Sequence, residues 1–400
     1  MLRKREKYIT ECIKVQKLIP GGQALGELAS GKKVFLWGVL PGEIATKCQV
    51  TKEKNSYVEA IALEYSQPSS ARMAAKDKCY LATSPWQIMD YDYELAQKAE
   101  ILREVFRQHQ IENGQINTVK TDGLDFYYRN KMEYALYYDH GTAKIYPAFH
   151  RRGSHQKVPV LSSSIERPEI WVQAQTVVQE LNAQGADARK YQSLLLRCSQ
   201  DGEVSGGLLE NGCPHPRFDL LEDDILGYRY SYSPNGFFQI NLPVYELALQ
   251  DIKRWIKTDK VLDLYAGVGT IGLSVARDRE LILVESNQAA YAELKRNCQG
   301  TGARAVLAKS EDALEYIQPD ITVIVDPPRA GCEGKLLEKI LTAEPQTVIY
   351  LSCNPATQGR DVKILLEKYQ IRQVQPYNFF PRTPHLENLI VLEHRHGAQL

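Results

Sequence analysis

At 400 residues, 44% of them hydrophobic and 24% charged, the chain has the make-up of a globular protein too long for one core; this excludes a disordered chain and predicts more than one domain. Formal net charge is zero, so a polyanionic partner would have to be met by local basic patches, and the eight cysteines show no paired spacing, which argues against a disulfide framework and against a zinc site. No apolar run approaches a membrane span and the start MLRKREKYIT lacks the apolar core of a signal peptide, so a cytoplasmic chain without membrane association is expected.

Residues 1–66 read as a small β domain. KYITECIKVQKLI alternates, Gly21-Gly22 turns, and VFLWGVLPGEIATKCQV reads as strand, Pro-Gly turn, strand. Residues 1–54 hold eleven Lys/Arg against five Asp/Glu, an excess of six. A short basic barrel carrying Phe35 and Trp37 would suit nucleic acid, because phosphates attract cations and bases stack on aromatic rings. The competing expectation is that both rings belong to the barrel core. YSQPSSARM is linker-like. A helix is predicted from about Asp92, with Leu95, Ala99, Leu102 and Phe106 at helical spacing; helix 92–110 is a candidate to pack on the C-terminal domain. Strand-rich stretches interrupted by WVQAQTVVQELNAQG give an antiparallel middle domain over residues 67–225. Tyr128, Arg129, Lys131, His150, Arg151 and Arg152 place cations beside aromatics there, although a solvated face is the commoner reason for any one of them.

From residue 226 to 400 strands alternate with helices, which predicts an α/β domain with a doubly wound sheet. The strands read as KVLDL, ELILVES, ARAVLAKS, ITVIVD and QTVIYLS, the helices as LPVYELALQDIKRWI, AYAELKRNCQG, EDALEYIQ, KLLEKILTAE and RDVKILLEKY, with IRQVQPY and ENLIVLEHR as a last hairpin. Open sheets of this kind hold ligands at the carboxyl ends of their strands.

Three stretches stand at such ends. In Asp263-Leu264-Tyr265-Ala266-Gly267-Val268-Gly269 the glycines let the backbone turn tightly beside a ligand, and Glu285 follows 18 residues after Gly267, at the end of the next strand. A carboxylate placed there accepts hydrogen bonds from the ribose hydroxyls of an adenosine; the turn is read as a poor match to the glycine spacing of dinucleotide sites, lacking the third glycine, and so as a site for S-adenosylmethionine rather than for NAD. In Asp326-Pro327-Pro328-Arg329 the prolines fix the direction of the carboxylate; a turn with a helix-capping Asp is the plain alternative. The third is Cys353, where QTVIYLS stops at Cys-Asn-Pro, considered with Glu387 in FPRTPHLENLIVLE. A thiolate adding to carbon 6 of a pyrimidine makes carbon 5 nucleophilic, and the proton then on carbon 5 needs a base, so one thiol and one base are the minimum set. A free thiol ionises near pH 8.5, so nearby positive charge is required; Arg329 and Arg360 are the candidates in the chain. His385 is a rival base or a positioning group.

Taken in order, FFQIN, DLYAGVGTIGL, VDPPRAGC, LSCNPATQGRD and FPRTPHLE resemble the catalytic domain of the RNA (uracil-5-)methyltransferase family, and the resemblance extends over nearly the whole chain. It implies a Rossmann-like methyltransferase domain over residues 226–400, a TRAM or OB-like RNA-binding barrel over 1–66, and the family's middle domain in YRNKMEY and FHRRGSH. Carried across motif by motif, Cys353 becomes the nucleophile and Glu387 the proton acceptor. Gln239, Tyr265, Gly267, Glu285 and Ser310 are placed with the methyl donor, and Asp326 beside donor and target base. Arg329 and His385 are placed with the substrate, and Phe237 and Phe238 are candidates to stack where a flipped base leaves the RNA.

One departure concerns metal. Several family members hold an iron–sulfur cluster on four cysteines; here Ser84 and Ser163 stand at two of those positions, and Cys79 is the only cysteine nearby, so no cluster and no other metal is expected. The expected activity is methylation of uridine carbon 5 in structured RNA by a monomeric chain using S-adenosylmethionine. The barrel and the style of the motifs lean towards 23S ribosomal RNA, with uridine 54 of transfer RNA as the alternative. The rivals from other classes are a non-catalytic RNA-binding or RNA-folding protein, which would not need Cys353 and Glu387, and a small-molecule or amine methyltransferase, which would not need Cys353.

Overall fold

The structure, a computed structural model, describes residues 7–112, 114–213 and 217–395. Arg3, Lys4, Arg5 and Glu6, all counted above, lie outside the described residues. Alternation in the N-terminal stretch produces a seven-stranded sheet between Tyr8 and Ser66, and Ile13, Val34, Leu36, Ala45 and Cys48 supply its buried face. That core continues into Trp86, Ile88 and Met89. Phe35 and Trp37 alternate with buried Val34 and Leu36, so neither ring belongs to the core of this sheet. Phe35 packs against Tyr57 at 5.4 Å, and the Arg152 guanidinium covers Trp37 at 4.2 Å. The positive excess read from residues 1–54 is offset in part. Lys7 and Lys32 pair with Glu53, Lys33 with Glu27, Lys47 with Glu64 and Lys52 with Glu59, and two of these carboxylates lie beyond residue 54.

The middle of the chain forms a five-stranded antiparallel sheet between Lys131 and Glu210. Helix α1 (Tyr91–Gln108) precedes it and helix α2 (Pro168–Ala183) packs on it. Side-chain hydrogen bonds occupy the region of Ser84 and Ser163. Gln87 donates to Ser84 and to Asp77, both at 2.8 Å, and Ser164 donates to the same Asp77 oxygen at 2.8 Å. Ser163 donates to Glu166, which also accepts from Tyr134 at 2.7 Å.

The C-terminal sheet contains β1 (Lys260–Leu264), β2 (Glu280–Glu285), β3 (Arg304–Leu307), β4 (Ile321–Val325), β5 (Thr347–Ser352), β6 (Tyr369–Tyr377) and β7 (Glu387–His394). Their order is β3-β2-β1-β4-β5-β7-β6, parallel except that β7 runs against both neighbours. Strands β4 and β5 are buried along their whole length, as expected for a sheet covered on both faces. On one face lie α3 (Leu242–Arg254), α4 (Thr270–Ala276) and α5 (Gln288–Asn297). On the other lie α6 (Gly334–Ala343), α7 (Pro355–Leu365) and α1, whose Leu102 and Phe106 share a core with Leu336 and Val362. EDALEYIQ, predicted as a helix, forms two short 3-10 turns, Ser310–Asp312 and Leu314–Tyr316. The segment runs into Pro319, which disfavours helical backbone at Gln318 and leaves too few residues for a stable helix. Among the described residues no helix is long and apolar enough to cross a membrane.

Candidate active site

Chain order reverses between β1 and β4, and a cavity of about 1080 Å³ opens at the carboxyl ends of these strands. β1 ends at Leu264, and Tyr265 follows with φ +62°, a left-handed conformation unusual for a residue with a side chain. Gly267 continues the turn at φ +56° with open space where a Cβ would stand, so a ligand can approach the backbone there. A Cβ on Gly272 would come within 2.8 Å of Asp263 and 2.9 Å of Leu283, so this glycine serves close packing of α4 on the sheet. Gly267, Gly269 and Gly272 stand at Gly-x-Gly-x-x-Gly spacing, which dinucleotide sites share. The preference for a methyl donor therefore rests on the residues around the turn and not on its spacing.

Glu285 ends β2, and its carboxylate is oriented by two backbone donors, Gly267 N–H at 2.8 Å and Asn287 N–H at 2.5 Å. Each oxygen keeps a lone pair, and the residue lines the cavity with Gly267, Val268, Ile271 and Ala289. This cradle fits an adenosine: ribose hydroxyls have a fixed acceptor and an apolar wall lies beside it.

The second group of residues lines the same cavity. Asp326, Arg329, Cys353, His385 and Glu387 come from the ends of β4 and β5 and from the start of β7. Asn354 joins two of these strand ends: its Oδ1 accepts from Ala356 N–H at the start of α7, and its Nδ2 donates to the Arg329 carbonyl at 2.8 Å. Thr357 donates to the same carbonyl at 3.1 Å. The DPPR loop is thereby held against the loop of Cys353.

The electrostatics oppose a pre-ionised nucleophile. Burial, then the Glu387 and Asp326 carboxylates, push the Cys353 thiol up to about 11, with Arg329 pulling the other way. Burial pushes Asp326 up to about 7. Burial and the neighbouring Asp326 hold Glu387 well above the ordinary carboxylate range, and Arg329 opposes them. His385 is exposed to solvent at the cavity wall, and desolvation by the surrounding protein, then the positive charges of Arg329, Lys98, Arg129 and Arg152, move it in the other direction, below the ordinary imidazole range. Of the two base candidates, Glu387 therefore has the stronger affinity for a proton.

Gln239 and Tyr265 also line the cavity. Three expectations need correction. Ser310 is buried at the first 3-10 turn beside the Tyr265 side chain and is not part of the cavity lining. Phe238 is 4% exposed and stacks on Tyr232 at 3.7 Å, which leaves Phe237, 72% exposed, as the ring free to reach RNA. Arg360 is committed to Asp361 at 2.7 Å and to the Ala330 carbonyl at 3.0 Å, so Arg329 is the arginine beside the thiol.

Sequence reasoning missed Asp263, whose buried Oδ2 accepts from Gly272 N–H at 2.8 Å while Oδ1 has no partner among the described residues. Its place in DLYAGVG was the available signal. It also missed Arg197, and it singled out Lys131 only as one of the cations beside aromatics; both bind backbone carbonyls of the loop that carries Phe237. Lys131 donates to Gly236 at 3.0 Å, and buried Arg197 donates to Gly236 at 3.2 Å and to Phe238.

Residues 312–395 match the family model of tRNA (Uracil-5-)-methyltransferases. An uncharacterized RNA methyltransferase of Bacillus cereus is 26% identical over 95% of this chain and 96% of its own length. An uncharacterized RNA methyltransferase of Thermosynechococcus vestitus is 27% identical over 95% and 97%. The crystal structure of the Pyrococcus abyssi tRNA (uracil-54, C5)-methyltransferase in complex with S-adenosyl-L-homocysteine superposes with a TM-score of 0.74 at 22% identity, over 96% of this chain and all of that one, and shows the shared fold. The resemblance of this chain to the RNA (uracil-5-)methyltransferase family is borne out by the family model over residues 312–395, and over nearly its whole length the chain is similar to proteins named RNA methyltransferases.

Proposed function

We propose that the chain methylates carbon 5 of uridine in RNA with S-adenosylmethionine, through a transient bond between Cys353 and the base. The observation that carries this reading is one cavity lined at once by the Glu285 cradle and by Cys353, Asp326, Arg329 and Glu387. Gln239, Tyr265, Gly267 and Glu285 would hold S-adenosylmethionine, which supplies an electrophilic methyl group to carbon 5. Cys353 Sγ bonds to carbon 6, its proton passes to solvent so that Glu387 stays ionised for the later step, and the ring π electrons move to oxygen 4. After carbon 5 is alkylated, Glu387 takes its proton, the carbon 5–carbon 6 double bond reforms, and the carbon–sulfur bond breaks to release the thiolate. Arg329 stabilises negative charge on sulfur on entry and on exit. A base inside a helical stack offers carbon 6 to no thiolate, so the uridine is flipped out, and Phe237 fills the space it leaves.

Large-subunit ribosomal RNA is the substrate we favour, recognised in part by residues 1–66. Uridine 54 of transfer RNA is the second reading. One observation favours it: the fold shared with the Pyrococcus abyssi enzyme covers 96% of this chain, so it takes in the N-terminal sheet as well. Nucleoside mass spectrometry on separated ribosomal and transfer RNA, from cells with and without the gene, tests both. Loss of 5-methyluridine from ribosomal RNA supports the first, loss from transfer RNA the second, and loss from neither refutes the proposed activity.

A further inference from the structure

Phe380 and His385 line the cavity from the connection 378–386, and Glu387, the first residue of β7 and paired with Tyr377, lines it where that connection re-enters the sheet. A connection of this length at the surface would ordinarily be mobile. Here it is tied down by residues far away in sequence. Lys98, with a fully buried side chain on α1, donates from Nζ to Asn378 Oδ1 at 2.5 Å and to the Phe380 carbonyl at 3.1 Å. The same Nζ lies 2.9 Å from Glu94, one turn earlier and equally buried. Glu94 accepts from Asn378 Nδ2 and from Arg382 N–H, each at 3.1 Å.

Arg382 is the other fixed point. Its backbone is left-handed at φ +62°, its carbonyl accepts from Trp86 N–H at 3.0 Å, and its guanidinium donates to the Met89 carbonyl at 2.6 Å and pairs with Asp125. Within the connection, Thr383 donates to the Phe380 carbonyl at 2.7 Å. A strained conformation persists only where its surroundings over-determine it. A buried ion pair is a weak source of net stability, yet it specifies geometry when each partner is also hydrogen-bonded.

We propose that Lys98 and Glu94 are positioning residues for Glu387: an ion pair on helix α1 fixes Asn378 and Arg382, and through them the place of the base that removes the proton from carbon 5. The proposal rests on the reading of Glu387 as that base. It assigns to α1, which precedes the C-terminal sheet by some 150 residues, a part in the last chemical step.

The test uses the full-length chain, S-adenosylmethionine and unmodified substrate RNA. When proton removal is slowed, the methylated base stays bonded to Cys353, so a denaturant-resistant protein–RNA adduct accumulates. Glu387→Gln sets the reference for that signature. Lys98→Met is expected to show the same adduct, with turnover at least tenfold lower and KM for RNA within about twofold. Lys98→Met combined with Glu94→Gln leaves no unpaired buried charge and covers the case in which the single variant does not fold. A folded double variant that turns over as wild type without adduct overturns the proposal, as does a drop in turnover with no adduct, which would mark a merely structural role. If Glu387→Gln itself gives no adduct while the wild type methylates, the reading of Glu387 has failed and not the positioning claim alone.

Discussion

Asn354 donates 2.8 Å from Nδ2 to the carbonyl of Arg329, and its Oδ1 caps helix α7 in the same conformation. One side chain thus sets both the start of the helix after Cys353 and the arginine beside the sulfur. Asn354→Ala removes an N-cap worth about 1 kcal/mol and frees the DPPR loop. Methyl transfer is expected to fall at least tenfold while the melting temperature drops by only a few degrees. A variant with full turnover would show that the tie is irrelevant to the thiol.

The thiol is held protonated by burial and by Glu387 and Asp326, so its reactivity without substrates should be low. Alkylation of Cys353 by iodoacetamide, followed by peptide mass spectrometry, is expected to be slow at pH 8 and to rise steadily towards pH 11. Arg329→Met removes the charge that opposes the shift and should slow alkylation further. Fast, pH-independent labelling at pH 7 would contradict this picture.

Asp263 supplies a prediction about stability. Burial, and the charges of Asp326 and Glu285, push its carboxyl from 3.8 up to about 7, against a hydrogen bond from Gly272. Below pH 4 both folded and unfolded forms are protonated and nothing is lost. Between pH 4 and 7 the folded protein keeps a proton that the unfolded chain releases, so stability falls as pH rises and levels off above 7. Asp263→Asn is expected to flatten that fall and to stabilise the protein at pH 8 by up to about 4 kcal/mol, read by urea melts from pH 4 to 8. An unchanged slope would contradict it.

Adjacent phenylalanines should behave oppositely. Phe237 is mostly exposed, so Phe237→Ala should leave the melting temperature alone and reduce turnover on structured RNA. Phe238 is in the core against Tyr232, so Phe238→Ala should cost about 3–5 kcal/mol in a denaturant melt.

The residues legible in the sequence share a cause. Glu285, Asp326 and Cys353 stand where apolar strands stop, and the doubly wound topology brings strand ends together, so local pattern carried tertiary information. What was illegible depends on contacts between distant segments. Lys98, one turn after Glu94 on a helix, reads as a solvated pair; only the packing of α1 under the connection 378–386 buries it. Which of Phe237 and Phe238 faces inwards depends on the nearby Tyr232 and on Arg197, 41 residues before Phe238. The raised thiol of Cys353 follows from carboxylates 27 residues before and 34 after it in the chain, facing it across the cavity.

The central claim is that sulfur 353 bonds to a pyrimidine. RNA carrying 5-fluorouridine at the target position offers no proton for Glu387 to remove, so the bond cannot be undone after methyl transfer. Incubation with S-adenosylmethionine, denaturation, and mass spectrometry of the digested complex should find one methylated fluorouridine on the peptide of Cys353, and none with Cys353→Ala. Methylation of unmodified RNA with no trapped complex on the fluorinated RNA would contradict the account.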